Sequence, residues 1–313
     1  MNLQFLVTKL FRGALTLLLA VTFVFIVLRA SGDPAQIMMS DEASPDAIAA
    51  FRERWGLDKS MFEQYLTYLG AMLQGDFGNS FRDGRPALEV IAERVPVTLQ
   101  LGLAALLITL AVGIPAGVMA ALKRGTWVDQ ATMSFTILGH SIPNFFLGIL
   151  LILLFSMTLR WLPSSGTGSI WHLLMPAITL GTAAAATVAR FTRSSMLDVL
   201  HQPFMRTAKA KGIPHERRVL RHAIPNAAIP VVTVVGMRIG GLIGGAVTIE
   251  TVFAWPGVGM LLVNAVNQRD LAVVQGVVLL IAFTMVAVNL IVDLAYGWLD
   301  PRIELQNKKA ATA

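Results

Sequence analysis

Six stretches of the chain are apolar almost without interruption, and the polar residues collect between them. They run over Leu10–Leu28, Val97–Leu122, Ala131–Leu159, Leu173–Ala189, Ala227–Ile249 and Ala272–Gly297. About 20 apolar residues cross a bilayer as a helix, so each stretch predicts one membrane span. Spans three, four and five carry Pro143, Pro176 and Pro230, which membrane helices tolerate where neighbours re-satisfy the freed carbonyls. The first run follows Lys9 and Arg12 and is read as a retained span. Leu28-Arg29-Ala30 is a poor small-x-small site for removal of a signal peptide.

Composition agrees with this pattern. Of the 313 residues, 55% are hydrophobic and 14% charged, against roughly 25% charged in a soluble domain. That excludes an ordinary cytosolic enzyme, a disordered chain and a nucleic-acid-binding protein. The net charge of +6 belongs to membrane topology instead, because basic residues gather on the inner side of a membrane. With the N-terminus inside, 15 of the 25 basic residues fall in inner segments, eight of them between Arg190 and Arg221. Short outer segments hold only Arg29, Arg160 and Arg269. The long segment Ser31–Pro96 carries 11 acids against six basic residues and lies outside. Both termini are therefore expected inside. Trp55, Trp127, Trp161, Trp171, Trp255 and Trp298 fall in loops or at span ends, as an interfacial aromatic belt requires. The chain has no cysteine, which removes disulfides, thiolate metal sites and a cysteine nucleophile.

Several chemistries are missing from the sequence. No Gly-Lys pair occurs, so there is no phosphate-binding P-loop and the chain cannot hydrolyse ATP alone. Ion-coupled carriers place several ionisable groups at mid-membrane. Here the clear mid-span charge is Arg238, with Glu250 and Asp293 towards span ends. His215-Glu216-Arg217-Arg218-Val219 begins like a zinc-binding H-E-x-x-H helix but lacks the second histidine. Gly139-His140-Ser141-Ile142 is similar to an intramembrane serine protease loop, yet the last span offers no histidine as base.

The loop Arg190–Asn226 is too long for a tight connection and too polar to enter the bilayer. It predicts a helical extension over Phe191–Leu200, a break at His201-Gln202-Pro203 and a short helix over Phe204–Lys211. Gly212 stands where a left-handed C-cap demands glycine. A further short helix, His215–His222, leads to Pro225 and span five. The small Ala208 and Ala210 beside the basic Arg206, Lys209 and Lys211 suit a helix that docks into a partner's groove. Charge alone is equally compatible with a loop that only fixes topology.

The order of motifs resembles one family. Arg206-Thr207-Ala208, three residues, Gly212, nine residues, then His222-Ala223-Ile224-Pro225 is similar to the E-A-A-x3-G-x9-I-x-L-P loop of binding-protein-dependent ABC importer permeases. The form found here resembles the dipeptide/oligopeptide/nickel branch. Gly32-Asp33-Pro34, Trp55-Gly56-Leu57-Asp58, Gly75-Asp76-Phe77-Gly78-Asn79-Ser80 and Arg94-Val95-Pro96-Val97-Thr98-Leu99 follow that branch in order. So do Ser141-Ile142-Pro143-Asn144-Phe145, Arg190-Phe191-Thr192-Arg193-Ser194-Ser195-Met196 and Glu250 through Gly259. Asn289-Leu290-Ile291-Val292-Asp293 and Asp300-Pro301-Arg302 complete the series. Arg206 departs from the acid of the general motif, and His222 and Ile224 occupy its Ile and Leu positions.

The resemblance implies an all-α integral membrane protein of six helices with the type I importer permease fold and a long extracytoplasmic segment between helices 1 and 2. It implies an N-terminal helix and extracytoplasmic segment over 1–96, a five-helix core over 97–297 with the coupling loop 190–226, and an inner tail over 298–313. The implied partners are a second homologous permease, two ATP-binding subunits that hold ATP and Mg, and an extracytoplasmic solute-binding protein. The chain itself would need no cofactor or metal and would sit in a bacterial or archaeal plasma membrane, the inner membrane in a Gram-negative cell. Coupling to the ATPase would fall to Arg206, Thr207, Ala208, Lys209, Ala210, Lys211 and Gly212. Asn144, Arg238 and Glu250 become candidates for the pathway or gate. Arg238 either pairs with Glu250 or Asp293 or faces a wet cavity. Gly236, Gly240 and Gly244, with Gly241 and Gly245 beside them, form stripes that let helices approach closely. Pro256-Gly257 predicts a re-entrant or capping element near the outer mouth. The competing reading is a self-contained secondary transporter, which would copurify with neither ATPase nor second permease. Dipeptide, oligopeptide, glutathione-like peptide and chelated nickel all remain open as substrate.

Overall fold

A computed structural model describes residues 3–30, 44–54, 57–80 and 82–299. Among these the regular structure is helical, apart from one isolated bridge between Asn79 and Pro86. The chain divides into two compact units, one of residues 4–97 and 257–286, the other built on 98–256 and the chain from 287. Among the described residues five helices are long and apolar enough to cross a membrane, six if the bent pair Trp127–Ser141 and Asn144–Thr158 is counted as one span.

The smaller unit contains α1 (Leu3–Ala30), α2 (Pro45–Arg54), α3 (Met61–Leu73), α4 (Ala87–Ala92), α12 (Val258–Asn267) and the first part of α13 (Leu271–Leu299). Ser60 begins α3 with a reciprocal cap: its hydroxyl accepts from the Glu63 N–H, and the Glu63 carboxylate accepts from the Ser60 N–H. Phe25 of α1 packs against the rings of Tyr65 and Tyr68, and the Thr22 hydroxyl lies 2.6 Å from the Tyr65 hydroxyl. The turn at Gly75–Ser80 needs two glycines, because Gly75 and Gly78 both have φ of +78°. It brings Ser80 to donate a 2.5 Å hydrogen bond to Asp270, and Asp270 in turn accepts from the Val273 N–H at the start of α13. Ala87, Ile91, Val258, Ala265, Val273 and Val277 form the core of this unit.

The larger unit is built around α8 (Ile170–Leu200), whose membrane window is 72% buried. The run Thr182–Ala189 is almost all small residues, so neighbours can come close. α5 (Val95–Leu122) lies on it through Gly113 and Gly117, where an added Cβ would stand 2.9 Å from the Ala185 carbonyl and 2.5 Å from that of Ala189. Across the same contact, Thr109 donates to the Gly181 carbonyl at 3.2 Å. α6 (Trp127–Ser141) runs antiparallel to α8, and α7 (Asn144–Leu151) continues through a wider π turn to Thr158. α9 (Pro203–Ala210) and α10 (His215–Arg218) lead into α11 (Ile224–Val252).

Three expectations need correction. Span three is not one helix: α6 and α7 meet at an angle of 104°. The cause is local, since the residue before a proline is pushed out of the helical region, and Ile142 before Pro143 is extended at φ −89°, ψ 121°. Pro176 and Pro230, in contrast, lie inside continuous helices. Trp255 is not an interfacial residue but is 2% exposed in the core, whereas Trp127, Trp161 and Trp171 are exposed as expected. The predicted helix His215–His222 ends at Arg218 and passes through a π turn, Val219–Ala223, directly into α11 without a break at Pro225. The motifs at Gly32, Trp55 and Asp300 and the tail lie outside the described residues.

Candidate functional site

The loop after α8 is held by its own small core. Met205 and Ala208 of α9 are buried, and Met205 joins Met196, Val219, Ala223, Ala227 and Ala121. Gly212 closes α9 as the sequence predicts, at φ +74°. Its N–H donates to the Lys209 carbonyl at 3.0 Å and the Ile213 N–H to that of Ala208 at 3.2 Å, the two bonds of a Schellman cap. The helix thereby presents Phe204, Arg206, Thr207, Lys209, Ala210, Lys211 and Gly212 outward. Ala208 faces its own chain and is not on the presented surface. A cleft of about 130 Å³ beside the helix is lined by Arg206, Lys209, His215 and Arg218 over an apolar floor of Leu200, Met205 and Val219. The Arg218 Nε is buried there without a hydrogen-bond partner among the described residues. This basic cleft suits an acidic group.

The pathway candidates do not cluster. Glu250 is fully buried and accepts a 2.6 Å hydrogen bond from the Thr98 hydroxyl. Arg238 is exposed on α11. Twelve residues of one helix separate the two by about 18 Å, so they are not an ion pair. Asn144 is half-buried as the first residue of α7, just past the bend. Asp293 has no described side chain. Of the glycines, Gly236 and Gly240 face α13 within this chain, with an added Cβ 2.8 Å from Val292 at Gly236 and 3.7 Å from Asn289 at Gly240. Gly241 and Gly244 meet open space.

One strong interaction escaped the sequence reading. Asp129 on α6, 6% exposed, receives both the Arg193 Nε at 2.5 Å and Nη2 at 2.8 Å from α8, together with the Gly125 N–H at 3.0 Å. Arg193 is therefore a structural partner of Asp129. The available signal was an acid at the start of an otherwise apolar run.

Two family models match the chain. Residues 113–305 match the binding-protein-dependent transport system inner membrane component, and residues 2–102 match the N-terminal part of such membrane components. A glutathione transport system permease protein GsiC of Salmonella choleraesuis (strain SC-B67) is 43% identical over 289 residues, 92% of this chain and 94% of that one. The GsiC protein of Escherichia coli (strain K12) is 40% identical over 302 residues, covering 96% and 99%. Among solved structures, the inward-facing MetNI methionine ABC transporter aligns with a TM-score of 0.56 at 18% identity, over 68% of this chain and 97% of that one. An amino acid ABC transporter crystallised with histidines aligns at 0.51 and 15% identity, over 67% and 94%.

Proposed function

The chain belongs to the binding-protein-dependent transport system inner membrane component family, and from that premise we propose how it couples ATP to transport and what it carries. It is a multi-pass permease subunit of an ABC importer and forms part of the translocation pore. In our reading it pairs with a second permease, two ATPase subunits bind the inner face, and an extracytoplasmic binding protein delivers solute. Both termini and α9 lie on the ATPase side. ATP-driven closure of the ATPases moves α9, and the two permease halves exchange outward- and inward-open states.

The observation that carries this reading is the form of α9. A short helix locked at one end by the Schellman cap at Gly212, and seated on its own core through Met205, behaves as a rigid knob. Its basic outer face and the neighbouring cleft match an acidic groove on an ATPase, where charge complementarity sets register more than affinity. Glutathione permeases are among the relatives at about 40% identity, which supports a short peptide with free carboxylates as the solute.

The test is reconstitution of the chain with its second permease and both ATPases in proteoliposomes, with binding protein outside. The expected result is ATP-dependent accumulation of glutathione or a free-acid tripeptide, and ATP turnover stimulated by loaded binding protein. Accumulation that persists without the ATPases, driven by an ion gradient, would overturn the importer assignment in favour of a secondary carrier.

A further inference from the structure

Three basic side chains from three helices of the larger unit stand at one level. The register follows from contacts that do not involve them. Gly245 of α11 lies against Leu180 of α8, an added Cβ being 3.2 Å from the leucine. Further along the same pair, Ala227 of α11 and Met196 of α8 share one buried cluster. The helices are therefore antiparallel, and seven residues from the first contact Arg238 stands level with Thr187. The Thr187 hydroxyl is 3.1 Å from the His140 Nε2 of α6. Arg190 lies three residues beyond Thr187, on the same face of α8.

Among the described residues these three groups meet no opposite charge. His140, Arg190 and Arg238 are all exposed, and none of them makes an ion pair with a described carboxylate. The Arg190 guanidinium lies over the neighbouring Phe191 ring, its carbon 5.5 Å from the centroid. Arg238 points away from α13, because Gly236 and Gly240, half a helical turn round, face that helix. It stands at the middle of α11, 14 residues from either end. A guanidinium carried on an apolar helix faces a wet cavity or a counter-charge rather than lipid. Arg193, one turn nearer the end of α8, shows the contrast: it is neutralised within the chain by Asp129.

We propose that His140, Arg190 and Arg238 form an anion site beside the bend at Pro143 that receives a carboxylate of the transported solute. The site deepens the importer reading and rests on it. Two guanidinium forks suit a planar carboxylate, and the imidazole completes a three-sided cradle. An acid of the second permease could meet the same chemistry, and the test separates the two.

The experiment uses the full complex in proteoliposomes, with glutathione and trialanine as probes and trialanine amide as the carboxylate-free control. Arg190→Gln, Arg238→Gln and His140→Gln are compared with Arg238→Lys, which keeps the charge. Because the binding protein is the same throughout, its own preference cancels in the acid-to-amide uptake ratio. That ratio is expected to fall about tenfold in each arginine-to-glutamine variant, the loss of one charge-assisted contact. His140→Gln lowers it less, and Arg238→Lys holds it near the wild-type value. An unchanged ratio in well-assembled glutamine variants overturns the site. Loss of the second permease on size-exclusion chromatography in those variants also overturns it, since the charges would then serve the interface. Failure of the wild-type complex to accumulate any free-acid peptide would instead remove the peptide-importer reading itself.

Discussion

Asp129 and Arg193 join α6 to α8 by two parallel hydrogen bonds, with the carboxylate buried and the guanidinium part-exposed. Removing one partner of a buried pair leaves the other charge uncompensated, which costs about 3 kcal/mol or more. Asp129→Asn is therefore expected to lower the thermal stability of the solubilised protein clearly, and Asp129→Leu with Arg193→Met to recover most of the loss. A scanning-fluorimetry series on the three variants checks this. Equal destabilisation of the single and double variants would mean that packing, not charge, holds the helices together there. The pair was invisible in sequence because its members are 64 residues apart, and nothing in local pattern specifies register. Trp255 was misplaced for a related reason. A tryptophan at a span end suits the interface by chemistry, but here Phe253 and Trp255 turn inward behind Ala254 at φ +46°.

The helices themselves were largely legible, because each span needs a long apolar run and the runs are long. What composition does not encode is direction. The bend between α6 and α7 comes from one extended residue, Ile142, and an apolar run reads the same straight or folded by 104°. The cap of α9 was legible, since glycine followed by proline is a local signal with a local cause. At Gly212 nothing lies within 4 Å of an added Cβ, so a substitution there meets backbone strain and no clash. Gly212→Val is expected to cost about 1–3 kcal/mol locally, enough to unseat the helix end, while Gly212→Asn, which tolerates the left-handed region, is expected to be mild. The readout is ATP turnover stimulated by binding protein: lost in the valine variant, largely kept in the asparagine one, with both inserted in the membrane. Normal stimulation in Gly212→Val would separate α9 from coupling.

At the scale of the whole chain, orientation can be read out directly because the protein contains no cysteine. Ser44→Cys and Lys209→Cys each introduce a single exposed thiol. The first is expected to react with an impermeant maleimide added to intact cells, the second only after the membrane is opened. The reverse labelling would invert the orientation drawn from the basic residues. The length of α8 bears on how such a molecule moves. Its 31 residues make a rod of about 46 Å, against roughly 30 Å of hydrocarbon, so about a third of it overhangs the membrane, and α9 follows its end directly. A rod of that length works as a lever. A tilt of about 5° about the Ile170 end carries Leu200 sideways by about 4 Å, while Thr187, a little past halfway, travels about 2 Å. In the proposed coupling a stroke at the Leu200 end would therefore reach the level of His140, Arg190 and Arg238 about halved.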